Sequence, residues 1–184
     1  MKFKSVSLFW ILGLLFISLN SYSQQGRLSR QELKEVRKAQ RAADFYALDS
    51  LLNARSFVLE ADFLQNKIGD RINVVPTLNF IKVDESKGIL QTGSNSRMGY
   101  NGVGGVTAEG SIGKWVVYKD EKHLNFRLQF SLFTNIGYYD IFMTISSDGR
   151  AQATISGLTS GKLTWDGHLE RVDNARIYKG QNSI

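Results

Sequence analysis

The feature that most constrains this chain is a two-residue alternation of apolar and polar side chains through its C-terminal half. Leu124, Phe126, Leu128, Phe130 and Leu132 alternate with Asn125, Arg127, Gln129 and Ser131. Successive side chains of a strand point to opposite faces, so the pattern predicts a β-strand with one buried and one wet face. Tyr139, Ile141, Met143 and Ile145 repeat it. Ser147-Asp148-Gly149 predicts a hairpin turn, because Asp-Gly tolerates positive φ. Ala151, Ala153 and Ile155 form the return strand, and Gly161 opens a last strand with Leu163, Trp165 and Leu169 on one face.

The same period begins at Ser56, where Phe57, Leu59, Ala61 and Phe63 alternate with Val58, Glu60 and Asp62. Ile72 to Val83 is apolar on both faces and contains Pro76. Proline lacks the N–H that a ladder needs, so that strand lies at an edge, bulged or broken. Asp84 to Gly88 reads as a turn into a short strand, Ile89 to Thr92. Gly93 to Gly113 holds seven glycines and reads as a long loop with one short strand around Val103 to Val106. Trp115 to Tyr118 is a further strand, and Lys119 to Lys122 turns.

Upstream, the period is helical. Ser29 to Ala54 predicts one helix, with Leu33, Val36, Ala39, Ala43, Ala47 and Leu51 as a narrow apolar stripe and Leu48 and Leu52 widening its end. Ser29 with Glu32 is a capping-box pair. The predicted fold class is mainly β (α+β): an N-terminal helix followed by a curled antiparallel meander sheet or barrel of about eight strands. The Leu and Phe face lines its inside, and the helix covers an open end or edge.

The first residues carry an address. Lys2 and Lys4 precede an apolar run from Val6 to Leu19, and Ser21-Tyr22-Ser23 offers small residues for cleavage before Gln24. The run is too short to span a bilayer as a helix. The chain thus divides into a signal peptide (1–23), a basic helix (24–55), an antiparallel β domain (56–173) and a polar tail (174–184) expected to fray. Its expected location is the periplasm or the exterior. There is no cysteine among the 184 residues, which excludes disulfides, thiol catalysis, thiolate metal sites and a lipid-modified cysteine.

The net charge of +6 is unevenly placed. Gln24 to Arg41 carries six basic residues against two acidic ones, whereas Ala42 onward balances at 15 of each. A basic footprint over the whole domain is missing, so nucleic acid is not an expected partner. The basic helix (Arg30, Lys34, Arg37, Lys38, Arg41) suits an acidic partner or anionic lipid headgroups, or is simply a solvated face.

The order of elements resembles a known family. Ser56-Phe57-Val58-Leu59-Glu60-Ala61-Asp62-Phe63 opens the fold. Tyr139-Asp140-Ile141-Phe142-Met143-Thr144-Ile145, the Ser147-Asp148-Gly149 turn and Ala151-Gln152-Ala153-Thr154-Ile155 follow, and Trp165-Asp166-Gly167-His168-Leu169 closes it. This is similar to the small exported proteins of Gram-negative bacteria grouped as domain of unknown function 4251, over roughly Ser56 to Arg171. The resemblance implies a mostly β domain in the envelope and brings no activity, ligand or catalytic residue.

Candidate chemistry is sparse. His168 is flanked by Asp166 and Glu170 on one strand face, a setting for a shared proton or metal. Residues two apart in a strand stand roughly 7 Å apart, far for joint ligation, so a solvated polar face is the simpler reading. His123 follows a turn. Glu60 and Asp62 share an outward face; paired carboxylates can act on glycosidic bonds, but the pairing is common on surfaces. Gly102-Val103-Gly104 and Gly113-Lys114 match no nucleotide loop. No cofactor or metal is expected. The expected function is a non-enzymatic periplasmic binding or accessory module, holding a small hydrophobic ligand or a partner segment in the sheet's concavity. Its lining is Leu124, Phe126, Leu128, Phe130, Tyr139, Ile141 and Trp165, for which a filled core is the plainer reading. The alternatives are an envelope hydrolase using the carboxylates and His168, and a small outer-membrane β-barrel. Against the latter stand a polar tail and strands that look shorter than spanning ones.

Overall fold

The computed structural model describes residues 28–94, 101–158 and 161–183; the expected signal peptide lies outside them. One helix, α1 (Arg30–Asn53), precedes nine strands: β1 (Ser56–Gln65), β2 (Arg71–Asn73), β3 (Phe80–Asp84), β4 (Lys87–Gln91), β5 (Thr107–Asp120), β6 (Asn125–Thr134), β7 (Gly137–Ser146), β8 (Arg150–Leu158) and β9 (Gly161–Glu170). All pairings are antiparallel and consecutive from β3 to β9. β1 pairs with β3 on one edge and with β9 on the other, which closes eight strands into a barrel. β2 is the extra strand, paired to the end of β1. No helix among the described residues is long and apolar enough to cross a membrane.

The inward positions of every barrel strand form one buried cluster, with Phe57, Leu59, Phe126, Phe130, Ile141 and Trp165 among its largest members. An eight-stranded barrel is just wide enough for side chains to fill. Phe45, Leu48 and Leu52 of α1 join the cluster. Phe45 stacks on Phe126 at 4.5 Å, and Leu48 lines a groove with the β7–β8 turn. Residues 39–53 therefore close the barrel end that carries the β5–β6 and β7–β8 turns. Ala39–Ile184 forms one compact unit, to which the described residues before it, 28–38, do not belong.

Several expectations change. The packing face of α1 is Leu48 and Leu52, as expected, with Phe45 added and Leu51 against it, whereas Leu33 and Val36 at the start of the expected stripe are exposed. Three large side chains bury more area than a stripe built mainly of alanines. The Pro76 strand is broken: Pro76 sits in a turn between β2 and β3, where Val75 O accepts from Leu78 N and Asn79 N. A bulge between Ala61 and Phe63 reverses the facing there, so Leu64 enters the core and Phe63 turns outward. The second half of the glycine-rich stretch is not a loop but the first half of β5. Gly110 is required there, since a Cβ would lie 1.7 Å from Phe133 O of the neighbouring strand. Residues 95–100, the middle of the expected loop, lie outside the described residues. Their flanks are tied by Asn101, whose Nδ2 donates to Thr92 O while its Oδ1 accepts from Val103 N and Gly105 N.

The C-terminal tail is tied down rather than frayed. Arg176 N donates to Glu60 Oε1, Tyr178 N to Thr77 O, Gly180 N to Gln91 Oε1 and Ser183 N to Thr107 O. The tail thus crosses the outside of β1, β4 and β5. It explains why Gln91 and Thr107, outward by alternation, are fully buried: Gln91 Nε2 donates to Leu78 O and Tyr178 O, and Thr107 Oγ1 donates to Gln91 Oε1.

Candidate functional site

The outer face of β5, β6 and β7 is the most unusual surface among the described residues. By register, Val116 lies beside Gln129 and Gln129 beside Phe142; Tyr118 lies beside Arg127; Phe133 lies beside Tyr138. Val116, Tyr118, Phe133, Tyr138 and Phe142 are each 44% to 59% exposed. Single exposed apolar residues are ordinary, but five large ones on three adjacent strands form a patch of the kind that marks an interaction site. Phe133 and Tyr138 pack at 5.0 Å between centroids, and the Arg127 guanidinium lies 5.8 Å from the Tyr118 ring.

A polar network lies on this face, between the Phe133–Tyr138 pair and Phe142. Asp140 Oδ1 accepts from Tyr138 OH at 2.7 Å and from Ser131 Oγ at 2.8 Å. These bonds, Tyr138's first, hold the Asp140 carboxyl below the ordinary aspartate range. The aromatic ring of Tyr138 is thereby oriented by a charge-assisted bond.

A second, polar cluster lies on the outer face of β1 and β9. Glu60 is the register partner of His168, and Asp62 is the extra residue of the bulge between Ala61 and Phe63. His168 Nε2 stands 3.8 Å from Glu60 Oε2, and Nδ1 stands 3.6 Å from Asp62 Oδ2. The sequence pairings of Glu60 with Asp62 and of His168 with Asp166 are thus joined in space, although Glu170 pairs elsewhere, beside Val58. Asp166 accepts from Gln152 at 2.8 Å and pairs with Arg71 at 3.1 Å. Arg71 also covers the outward Phe63 ring at 3.8 Å. An open groove of about 680 Å³ runs over Asp62, Arg71, Arg150, Gln152 and Asp166. Glu60 Oε1 accepts from Arg176 N, and Asp166 is held by Gln152 and Arg71. No group of three His, Asp or Glu side chains among the described residues is placed to hold a metal. His123 is exposed and bonds Asp120 at 2.8 Å.

The residues expected to line a concavity are all on the inside. Phe126, Leu128, Phe130, Tyr139, Ile141 and Trp165 are buried in the core cluster. Leu124 packs against it from the β5–β6 turn, with φ 52° rather than strand geometry. Burial raises the Tyr139 phenol above its ordinary range, with a bond from Thr134 acting the other way. Trp165 Nε1 is buried and has no hydrogen-bond acceptor among the described residues. Its cross-strand neighbours are Leu64 and Ala153, which offer no side-chain acceptor. The aromatic outer face was missed in the sequence because Tyr118, Phe133, Tyr138 and Phe142 belong to strands whose other face is also apolar. The available signal was aromatics at outward positions of three strands, and it becomes visible only once register is known.

The strands themselves revise one argument. Six of them run to nine residues or more, so shortness does not separate this barrel from a membrane one. The facing does: the inside is apolar and the outside carries Arg127, Gln129, Asp140 and Gln152, the reverse of a lipid-embedded barrel with a polar interior.

Together these features define a class: a closed antiparallel barrel with an apolar interior, one end covered by a helix and a C-terminal strap across its wall. The chain belongs to the family described as domain of unknown function (DUF4251), whose model matches residues 39–169. The crystal structure of a DUF4251 family protein from Bacteroides eggerthii DSM 20697 is similar, with 29% identity and a TM-score of 0.61. The likeness covers 73% of this chain and 94% of that one. No curated protein matches the chain.

Proposed function

We propose that this protein is a non-enzymatic binding or accessory module of the cell envelope, which holds a protein partner against the outer face of β5–β7. The observation that carries the reading is the exposed aromatic patch on a rigid, closed barrel. Aromatic residues and arginine are enriched where proteins meet one another. The signal-like start, Lys2 to Ser23, supports the periplasm or the exterior as the place of action. The test is a photo-reactive residue placed at Phe142 and, separately, on the exposed turn at Glu121, with crosslinking in the host envelope. A discrete adduct at Phe142 alone is the expected result. Equal adducts at both sites, or none, would remove the proposal.

A second reading rests on Trp165. A buried N–H without an acceptor is destabilising by about 1–3 kcal/mol, and an eight-stranded barrel can hold one small molecule. A small apolar ligand carrying a single acceptor oxygen would satisfy that indole. Native mass spectrometry of protein from its own host tests it. Extra mass that leaves on denaturation, and is lost in Trp165→Phe, supports the ligand; a bare chain sinks it.

A further inference from the structure

The first three turns of α1 carry cations in a pattern that helix stability does not ask for. Arg30, Lys34, Arg37, Lys38 and Arg41 are spaced by four, three, one and three residues. Residues three and four apart share a helix face, so the five side chains form one line. The line extends about 16 Å at the helical rise per residue. All five are exposed, and none forms an ion pair among the described residues. Like charges at these spacings weaken an isolated helix.

The two nearby acids do not neutralise the line. Glu32 is used to start the helix: Ser29 N donates to Glu32 Oε2 at 2.7 Å, and Glu32 N donates to Ser29 Oγ at 3.2 Å. Those bonds hold its carboxyl below the ordinary glutamate range. Glu35 makes no ion pair among the described residues. The cap fixes the helix start at Arg30, so the whole cationic line is helical. Leu33 and Val36 are exposed on the same three turns.

We propose that this helix face docks on an anionic membrane surface. A straight row of cations with no pocket and no aromatic anchor suits a flat partner better than a shaped one. Leu33 borders the row, three residues after Arg30 and four before Arg37, and suits the headgroup boundary, where apolar groups enter shallowly. The rest of the chain from Ala42 on is neutral overall, so the attraction is local to the helix and screens with salt.

The test is co-sedimentation of the full protein, purified from its host, with two kinds of vesicle. One is pure phosphatidylcholine; the other is three parts phosphatidylcholine to one part phosphatidylglycerol. Binding is expected only to the anionic vesicles and is lost at about 0.5 M salt. Arg37→Gln with Lys38→Gln lowers the partition roughly tenfold. The same number of charges removed elsewhere, Lys122→Gln with Lys162→Gln, leaves it unchanged. Circular dichroism of each variant reports whether the helix persists. Equal binding to both vesicles, or equal effects of the two double variants, would overturn the proposal. So would failure to bind vesicles while binding soluble polyglutamate, which would point to an acidic protein instead.

Discussion

Asp140 shows how one side chain sets both stability and surface. Its carboxyl is held low by bonds from Tyr138 and Ser131. A group with a lowered folded value stabilises the fold above the ordinary aspartate range and stops doing so as pH falls through that range. The melting temperature of the wild type should therefore drop between about pH 5 and about pH 3. In Asp140→Asn it should start lower and drop less; an equal drop in both proteins would show that Asp140 carries none of the acid sensitivity. Ser131 could not be read as a partner from sequence, because it is nine residues from Asp140 and meets it only through the β6–β7 register.

Among elements, α1 and the C-terminal strap decide how the barrel is finished. Phe45→Ala removes the ring stacked on Phe126, and a loss of about 3–4 kcal/mol is expected in urea denaturation. A loss under about 1 kcal/mol would mean that the helix end closes nothing. The strap makes the opposite prediction from its composition. A polar tail without regular structure reads as disposable, yet its main chain satisfies Glu60, Gln91 and Thr107. Removing residues 174–184 should destabilise the protein by about 2 kcal/mol and raise amide exchange in β4. Unchanged stability would restore the frayed-tail expectation. Lys179 and Asn182 both bond Glu109, and these bonds, Lys179's first, lower its carboxyl. Strap anchoring is thus strongest above the ordinary glutamate range and is lost as pH falls through it.

At the scale of the whole molecule, closure is the decisive event. It depends on β1 meeting β9, and there Gly167 allows a close approach: a Cβ would lie 1.9 Å from Glu60 O, a main-chain atom that cannot move aside. Gly167→Val should destabilise by about 3 kcal/mol or more, or leave an open sheet that binds hydrophobic dyes. Wild-type-like unfolding would contradict the closed pairing. A sheet that failed to close would leave two edges ready to pair with other chains.

Local order in the sequence was enough to determine the elements. Strict alternation in Phe126 to Leu132 and in Tyr139 to Ile145 specifies strands and their inward faces, the Ser29–Glu32 pair specifies a helix start, and consecutive short turns specify a meander. The resemblance in Ser56 to Phe63 and Trp165 to Leu169 specified the family. What only tertiary structure decided is everything that depends on register and closure between distant strands. Glu60 and His168 share a cluster, Phe63 turns outward at a bulge, the glycine-rich segment becomes a strand against Phe133, and four aromatic rings gather on one outer wall. Alternation fixes which way a side chain points from its own strand. It carries no information about which strand lies beside it, because that is set by the lowest free energy of the closed sheet as a whole.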